Sequence, residues 1–135
     1  MERMTTQAMG LLEQEAELRE IVRLVGADAL SPKDRLILET ARSIREDFLH
    51  QNAFHEVDTF TSLTKQYEML KTVLHFHHRA LAAIDAGAET ADIFKLKVRE
   101  QIARAKYIPE DELDKITKIR DTINEQTKQL QTTGV

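Results

Sequence analysis

Apolar residues recur along most of this chain at intervals of three and four, the spacing that gathers side chains on one face of an α-helix. From about Thr6 to Val25, the residues Leu11, Leu18, Ile21, Val22 and Val25 share one side, and Gly26 supplies a C-terminal stop. Ser31-Pro32 then reads as an N-cap followed by proline in the first helical position. Ile37, Ala41, Ile44 and Phe48 carry a second helix forward at helical spacing. The intervening Asp28-Ala29-Leu30-Ser31-Pro32-Lys33-Asp34 is a short charged turn, expected to join the two as a hairpin.

A longer helix is predicted from about Phe60 to Ala86, closed by Gly87. Phe60, Leu63, Tyr67, Leu70, Leu74, His77, Leu81 and Ile84 form one apolar stripe, and Met69, Val73, Phe76, Ala80 and Ala83 a second. Thr64, Glu68, Lys71, Thr72, His75 and Arg79 are left as a polar strip. A helix that is apolar on two sides is expected at the centre of a bundle, with neighbours on both. A fourth helix is expected from about Thr90 to Ala105, with Ile93, Phe94, Leu96, Val98 and Ile102. Pro109 opens a fifth, striped by Leu113, Ile116, Ile119 and Ile123, and the polar run after Gln126 is expected to fray. No segment alternates like a strand. The predicted fold is all-α: one domain over residues 1–135, a bundle of about five helices around one long central helix.

Composition agrees with a folded domain, since 41% of the 135 residues are hydrophobic and 31% charged. Only four glycines and two prolines interrupt the chain, which favours long helices. The absence of cysteine excludes disulfides and Cys-based zinc sites. A net charge of −4, with basic and acidic residues interspersed, offers no basic face for nucleic acid. No apolar run approaches the roughly 20 residues that span a bilayer. Nor does M-E-R-M-T-T-Q have the layout of a signal peptide. These features predict a soluble intracellular domain without direct membrane insertion.

Candidate chemistry is sparse. His75, His77 and His78 look like a metal cluster, but at about 100° per residue His75 and His77 diverge by about 160°; only His75 and His78 could share an ion. His77 falls in an apolar stripe and is expected to be a hydrogen-bonded core residue. Glu110, Asp111 and Glu112 suit the positive end of the last helix, and Glu56 and Asp58 lack a third group to make a catalytic set. The phosphate loop G-x-x-x-x-G-K-[ST] is absent, so neither catalytic nor metal residues are assigned. There remains the polar turn Gln51-Asn52-Ala53-Phe54. Its aromatic ring either plugs the top of the bundle or offers a flat wall to a purine, worth roughly 1–3 kcal/mol of stacking. In the second case Gln51 or Asn52 would bond the purine edge.

Three blocks in order then carry a family resemblance. They are L-L-E-Q-E-A-E-L-R-E-I-V-R-L-V-G ending at Gly26, R-E-D-F-L-H-Q-N-A-F-H-E-V-D-T-F from Arg45 to Phe60, and K-Q-Y-E-M-L-K-T-V-L from Lys65 to Leu74. Together they resemble the C-terminal helical domain of the catalytic A subunit of V-type and archaeal A-type rotary ATPases. The likeness runs from about Ala8 to Lys106 and weakens through the last helix. It implies a parent protein that hydrolyses or makes ATP, with ATP or ADP and Mg bound in a separate P-loop domain, so that this piece alone holds no nucleotide tightly. Met1 would start abruptly inside the first helix region of that domain.

The same resemblance implies that Phe54, with Gln51, Asn52 and Ala53, helps wall the adenine pocket. It also implies that the turn containing Asp28, Leu30, Ser31, Pro32, Lys33 and Asp34 meets the central shaft, in the place of the acidic lever loop of the F-type beta subunit. Pro32 and Lys33 stand where acids would be expected, which favours a steric lever over a charge-driven one. The implied partners are the rest of the catalytic subunit, the B subunits that alternate with it and the central-stalk subunits, in a cytoplasmic head peripheral to the membrane. Two rival readings are a free-standing helical interaction module and a metal enzyme built on His75 and His78.

Overall fold

The structure, a computed structural model, describes residues 2–49 and 62–133. Every regular element among them is helical: α1 (Glu2–Val25), α2 (Pro32–Ser43), α3 (Leu63–Asp85), α4 (Thr90–Phe94), α5 (Val98–Arg104) and α6 (Asp114–Thr133). A 3-10 turn, Ala27–Ala29, joins α1 to α2, and α2 runs into a π-helical turn, Ile44–Leu49. Further 3-10 turns at Ala105–Tyr107 and Glu110–Glu112 lie between α5 and α6.

Local chemistry explains the helix ends. Gly26 leaves α1 with φ 92°, its N–H still donating to the Val22 carbonyl at 2.9 Å. Ser31 and Asp34 form a reciprocal capping box with Pro32 in the first turn of α2. At the far end of α3, Gly87 adopts φ 100°. Ala88 N–H then reaches the Ala83 carbonyl (2.9 Å) and Gly87 N–H that of Ile84 (3.0 Å), a Schellman closure.

The core lies around α3. Met69, Leu70, Val73, Leu74, Phe76, Ala80 and Ala83 are buried there with Leu36 of α2, Ile44 of the π-helical turn, Ile93, Val98 and Ile102 beyond α3, and Ile116, Ile119 and Ile123 of α6. Both apolar stripes are used, as expected for a central helix. The polar strip is not left to water either, because α6 runs along part of it. Arg120 pairs with Glu68 (2.6 Å), Asn124 accepts from His75 Nε2 (2.6 Å), and Arg79 Nε donates to Thr127 Oγ1 (3.5 Å).

Four expectations change. On α1 the buried face is Ala8, Leu11, Glu15 and Leu18, whereas Ile21 and Val25 are 42% and 69% exposed. In the last turns of α1 only Val22, half-buried beside Leu38 of α2, faces a neighbouring helix, and Ile21, Leu24 and Val25 are left exposed. The fourth helix is two short ones broken at Lys95–Lys97. The third begins at Leu63, itself exposed, so its described stripe starts later than Phe60, which lies outside the described residues. Finally, the helix α6 continues past Gln126 to Thr133, with Thr127 fully buried and its hydroxyl donating to the Ile123 carbonyl.

Candidate functional site

The hairpin tip is a preorganised protrusion. Asp28, Ser31, Pro32 and Lys33 are exposed, Asp34 is half-buried, and Leu30 is buried. Lys33 reaches across to Asp85 at the end of α3 (3.0 Å); both are exposed, so the pair orients the tip more than it stabilises it. Beside the tip, Ile21, Leu24 and Val25 make an exposed apolar edge of α1.

From Pro32 the α2 helix and its π-helical extension form one rod to Leu49, roughly 25 Å long at about 1.5 Å per residue. The rod is fastened along its length. Glu39 takes Arg42 on its own helix (3.0 Å) and Arg99 from α5 (2.5 Å). Burial pushes the Glu39 carboxyl up, but the two guanidiniums outweigh it and hold the group below its ordinary value. Farther along, Arg45 Nη2 donates to the buried Glu15 of α1 at 2.6 Å. Burial raises Asp47 above the usual carboxylate range. A six-residue π-helix is uncommon, and such turns concentrate at functional sites.

The rod leads directly into residues 50–61. Gln51, Asn52, Ala53 and Phe54, and with them Glu56 and Asp58, lie outside the described residues. The histidines of α3 diverge as helix geometry requires. His77 is buried on Thr40, His75 meets Asn124, and His78 Nε2 accepts from the Gln7 amide at 2.9 Å. Among the described residues no three metal-ligating groups converge. The cleft between Glu39, Thr40, Val73, Phe76 and Arg99 measures about 10 Å³, room for a single water.

Glu110 behaves differently from the sequence expectation. Instead of opening α6, it lies in the separate turn Glu110–Glu112 and accepts from Ser62, the N-cap of α3. Forty-eight residues separate the two, and no local pattern signals their meeting.

Known proteins are similar to this chain along most of its length. Residues 2–94 match the family described as the C-terminal domain of V and A type ATP synthase. The chain is 56% identical over 130 residues to the V-type ATP synthase alpha chain of Acetivibrio thermocellus, covering 96% of this chain and 22% of that protein. Against the corresponding protein of Thermoanaerobacter pseudethanolicus the identity is 58% over 118 residues, 87% of this chain and 20% of the other. For Clostridium perfringens it is 60% over 114 residues, 84% and 19%. The chain spans about a fifth of the length of these curated relatives.

Proposed function

Since this chain belongs to the family of C-terminal domains of V and A type ATP synthases, we propose that it forms one side of the adenine pocket and passes nucleotide state to the central shaft of its parent enzyme. The phosphate loop, Mg and reaction chemistry belong to the remainder of the catalytic subunit, which binds ATP or ADP. The other partners are the alternating B subunits and the central-stalk subunits. The family resemblance implies a cytoplasmic head, peripheral to the membrane, for the parent enzyme's catalytic subunit; no helix among the described residues is long and apolar enough to cross a membrane.

The observation that carries the reading is the rod. Its N-terminus is the hairpin tip and its C-terminus runs into the segment bearing Phe54. A helix fastened at Glu39 and Arg45 moves as a body, so a displacement at the nucleotide end becomes a displacement at the tip. Asp28, Ser31, Pro32, Lys33 and Asp34 form the tip surface for the shaft, and Leu30 anchors it. Lys33 is engaged with Asp85, which supports a lever acting by contact rather than by negative charge.

The test is Phe54→Ala in the complete enzyme with all its partners present. Loss of a stacked purine face should weaken adenine-nucleotide binding about five- to a hundredfold. Unchanged affinity would remove Phe54 from the pocket and leave the tip as the domain's role.

A further inference from the structure

We propose that the turn from Lys106 to Glu110 is a positioning element for nucleotide binding, gripping both flanks of the 50–61 segment and fixing the distance and direction between them. The inference rests on the adenine-wall reading above. It assigns a role to residues beyond position 94, where the family match stops.

The grip has three contacts. On the entry flank, Lys106 Nζ donates to the backbone carbonyl of Glu46 at 3.3 Å, inside the π-helical turn. On the exit flank, Glu110 accepts twice from one residue, from Ser62 N–H at 2.9 Å and from Ser62 Oγ at 2.5 Å. Between them, Lys65 in the first turn of α3 is fully buried, and its Nζ donates to the Lys106 carbonyl at 2.7 Å. A five-residue stretch of chain therefore touches Glu46, four positions before the twelve-residue 50–61 segment, and Ser62, directly after it.

Each contact suits its place. A lysine near the C-terminal end of the described rod meets the negative end of the helix dipole. A carboxylate at the start of α3 meets the positive end, and its two hydrogen bonds are charge-assisted. The Ser62 hydroxyl, and then the Ser62 N–H, hold the Glu110 carboxyl below its ordinary value, so the ionised form that grips is present at neutral pH. Ser62 Oγ also accepts from Lys65 N–H at 3.0 Å, so the grip on Ser62 is passed to the α3 N-terminus.

The turn is rigid enough to serve. Ala105 is buried, Ile108 N–H closes on the Ala105 carbonyl (3.0 Å), Pro109 restricts its own φ, and Glu112 N–H closes on the Pro109 carbonyl (3.0 Å). Fixing the two flanks sets the span that the intervening chain has to bridge. A stacking wall misplaced by about 1 Å loses much of its value. The turn thus acts through its neighbours and need not touch nucleotide.

The experiment uses the complete enzyme, with Lys106→Met, Glu110→Gln and the pair combined, in wild-type and Phe54→Ala backgrounds. Amide hydrogen exchange at residues 46–49 and 62–65 should quicken about tenfold in the double variant, with protection along α1 and the melting temperature unchanged. Binding of a fluorescent adenine nucleotide should weaken about five- to tenfold with kcat nearly unaltered, and Phe54→Ala should erase that effect. Unchanged exchange overturns the grip. Faster exchange with unchanged affinity, while Phe54→Ala still weakens binding, overturns the positioning role, as do losses that add to that of Phe54→Ala. If Phe54→Ala is itself silent, the adenine-wall reading has failed and takes the nucleotide part of this proposal with it.

Discussion

Thr40 of α2 and His77 of α3 are joined across the core, with Thr40 Oγ1 2.6 Å from His77 Nδ1 and both side chains buried. The bond satisfies a ring nitrogen that the apolar surroundings would otherwise leave stranded, and it locks the lever helix to the central helix. Burial, and secondarily the neighbouring His78, lower the His77 pKa from 6.5 to about 4.

This chain should therefore lose stability in mild acid. Above pH 6.5 the ring is neutral in both folded and unfolded states and contributes no pH dependence. As pH falls from 6.5 toward 4 the unfolded chain takes up a proton that the fold refuses, and stability declines by up to about 3 kcal/mol before levelling. Urea unfolding across that range should give this slope, and His77→Leu should flatten it. Thr40→Val, which leaves the ring nitrogen unpaired, should cost about 1–3 kcal/mol at neutral pH.

The last helix should be indispensable to the bundle. Ile123 is fully buried against α3, so Ile123→Ala should destabilise by about 2–5 kcal/mol. That is a large part of a domain's usual margin. Chemical denaturation measures it directly, and a loss below about 1 kcal/mol would mean that α6 is only loosely attached.

Two glycines should respond oppositely to alanine. A Cβ would meet nothing within 4 Å at either Gly10 or Gly26, so only the backbone decides. Gly26, at φ 92°, should lose roughly 1–2 kcal/mol, while Gly10, inside α1, should gain about 0.5–1 kcal/mol. Thermal melting of the two variants gives the signs.

Charging the apolar edge beside the tip should uncouple without unfolding. Leu24 and Val25 are 66% and 69% exposed, so Leu24→Glu with Val25→Glu should alter stability by no more than about 0.5 kcal/mol per residue. In the complete enzyme the pair should lower ATP-driven rotation while nucleotide affinity stays unchanged. Single-molecule rotation under saturating ATP distinguishes this from a pocket defect.

Much of the fold was legible because helices report themselves through period and caps. The two stripes of α3, the Ser31-Pro32 start and the Gly26 and Gly87 stops follow from backbone geometry within a few residues. The burial of His77 was legible too, from its place in a stripe. Less legible was α1, where Leu18 and Ile21 are equally apolar but only one has a neighbouring helix to meet. The polar end of α6 misled for the converse reason: Thr127 is polar by composition but buried, because its hydroxyl returns to its own helix.

The sequence by itself determined the helical class, the hairpin with its capped tip, the central place of α3 and the family, all of which rest on local spacing or on the order of blocks along the chain. Only the tertiary structure decided that the rod is fastened through Arg99 and Arg45 to α5 and α1, that α6 lies along the polar strip of α3, and that Lys106 and Glu110 meet Glu46 and Ser62. Those contacts join residues tens of positions apart. Their free energy comes from neighbours brought together by burial elsewhere, so no periodicity in the chain records them.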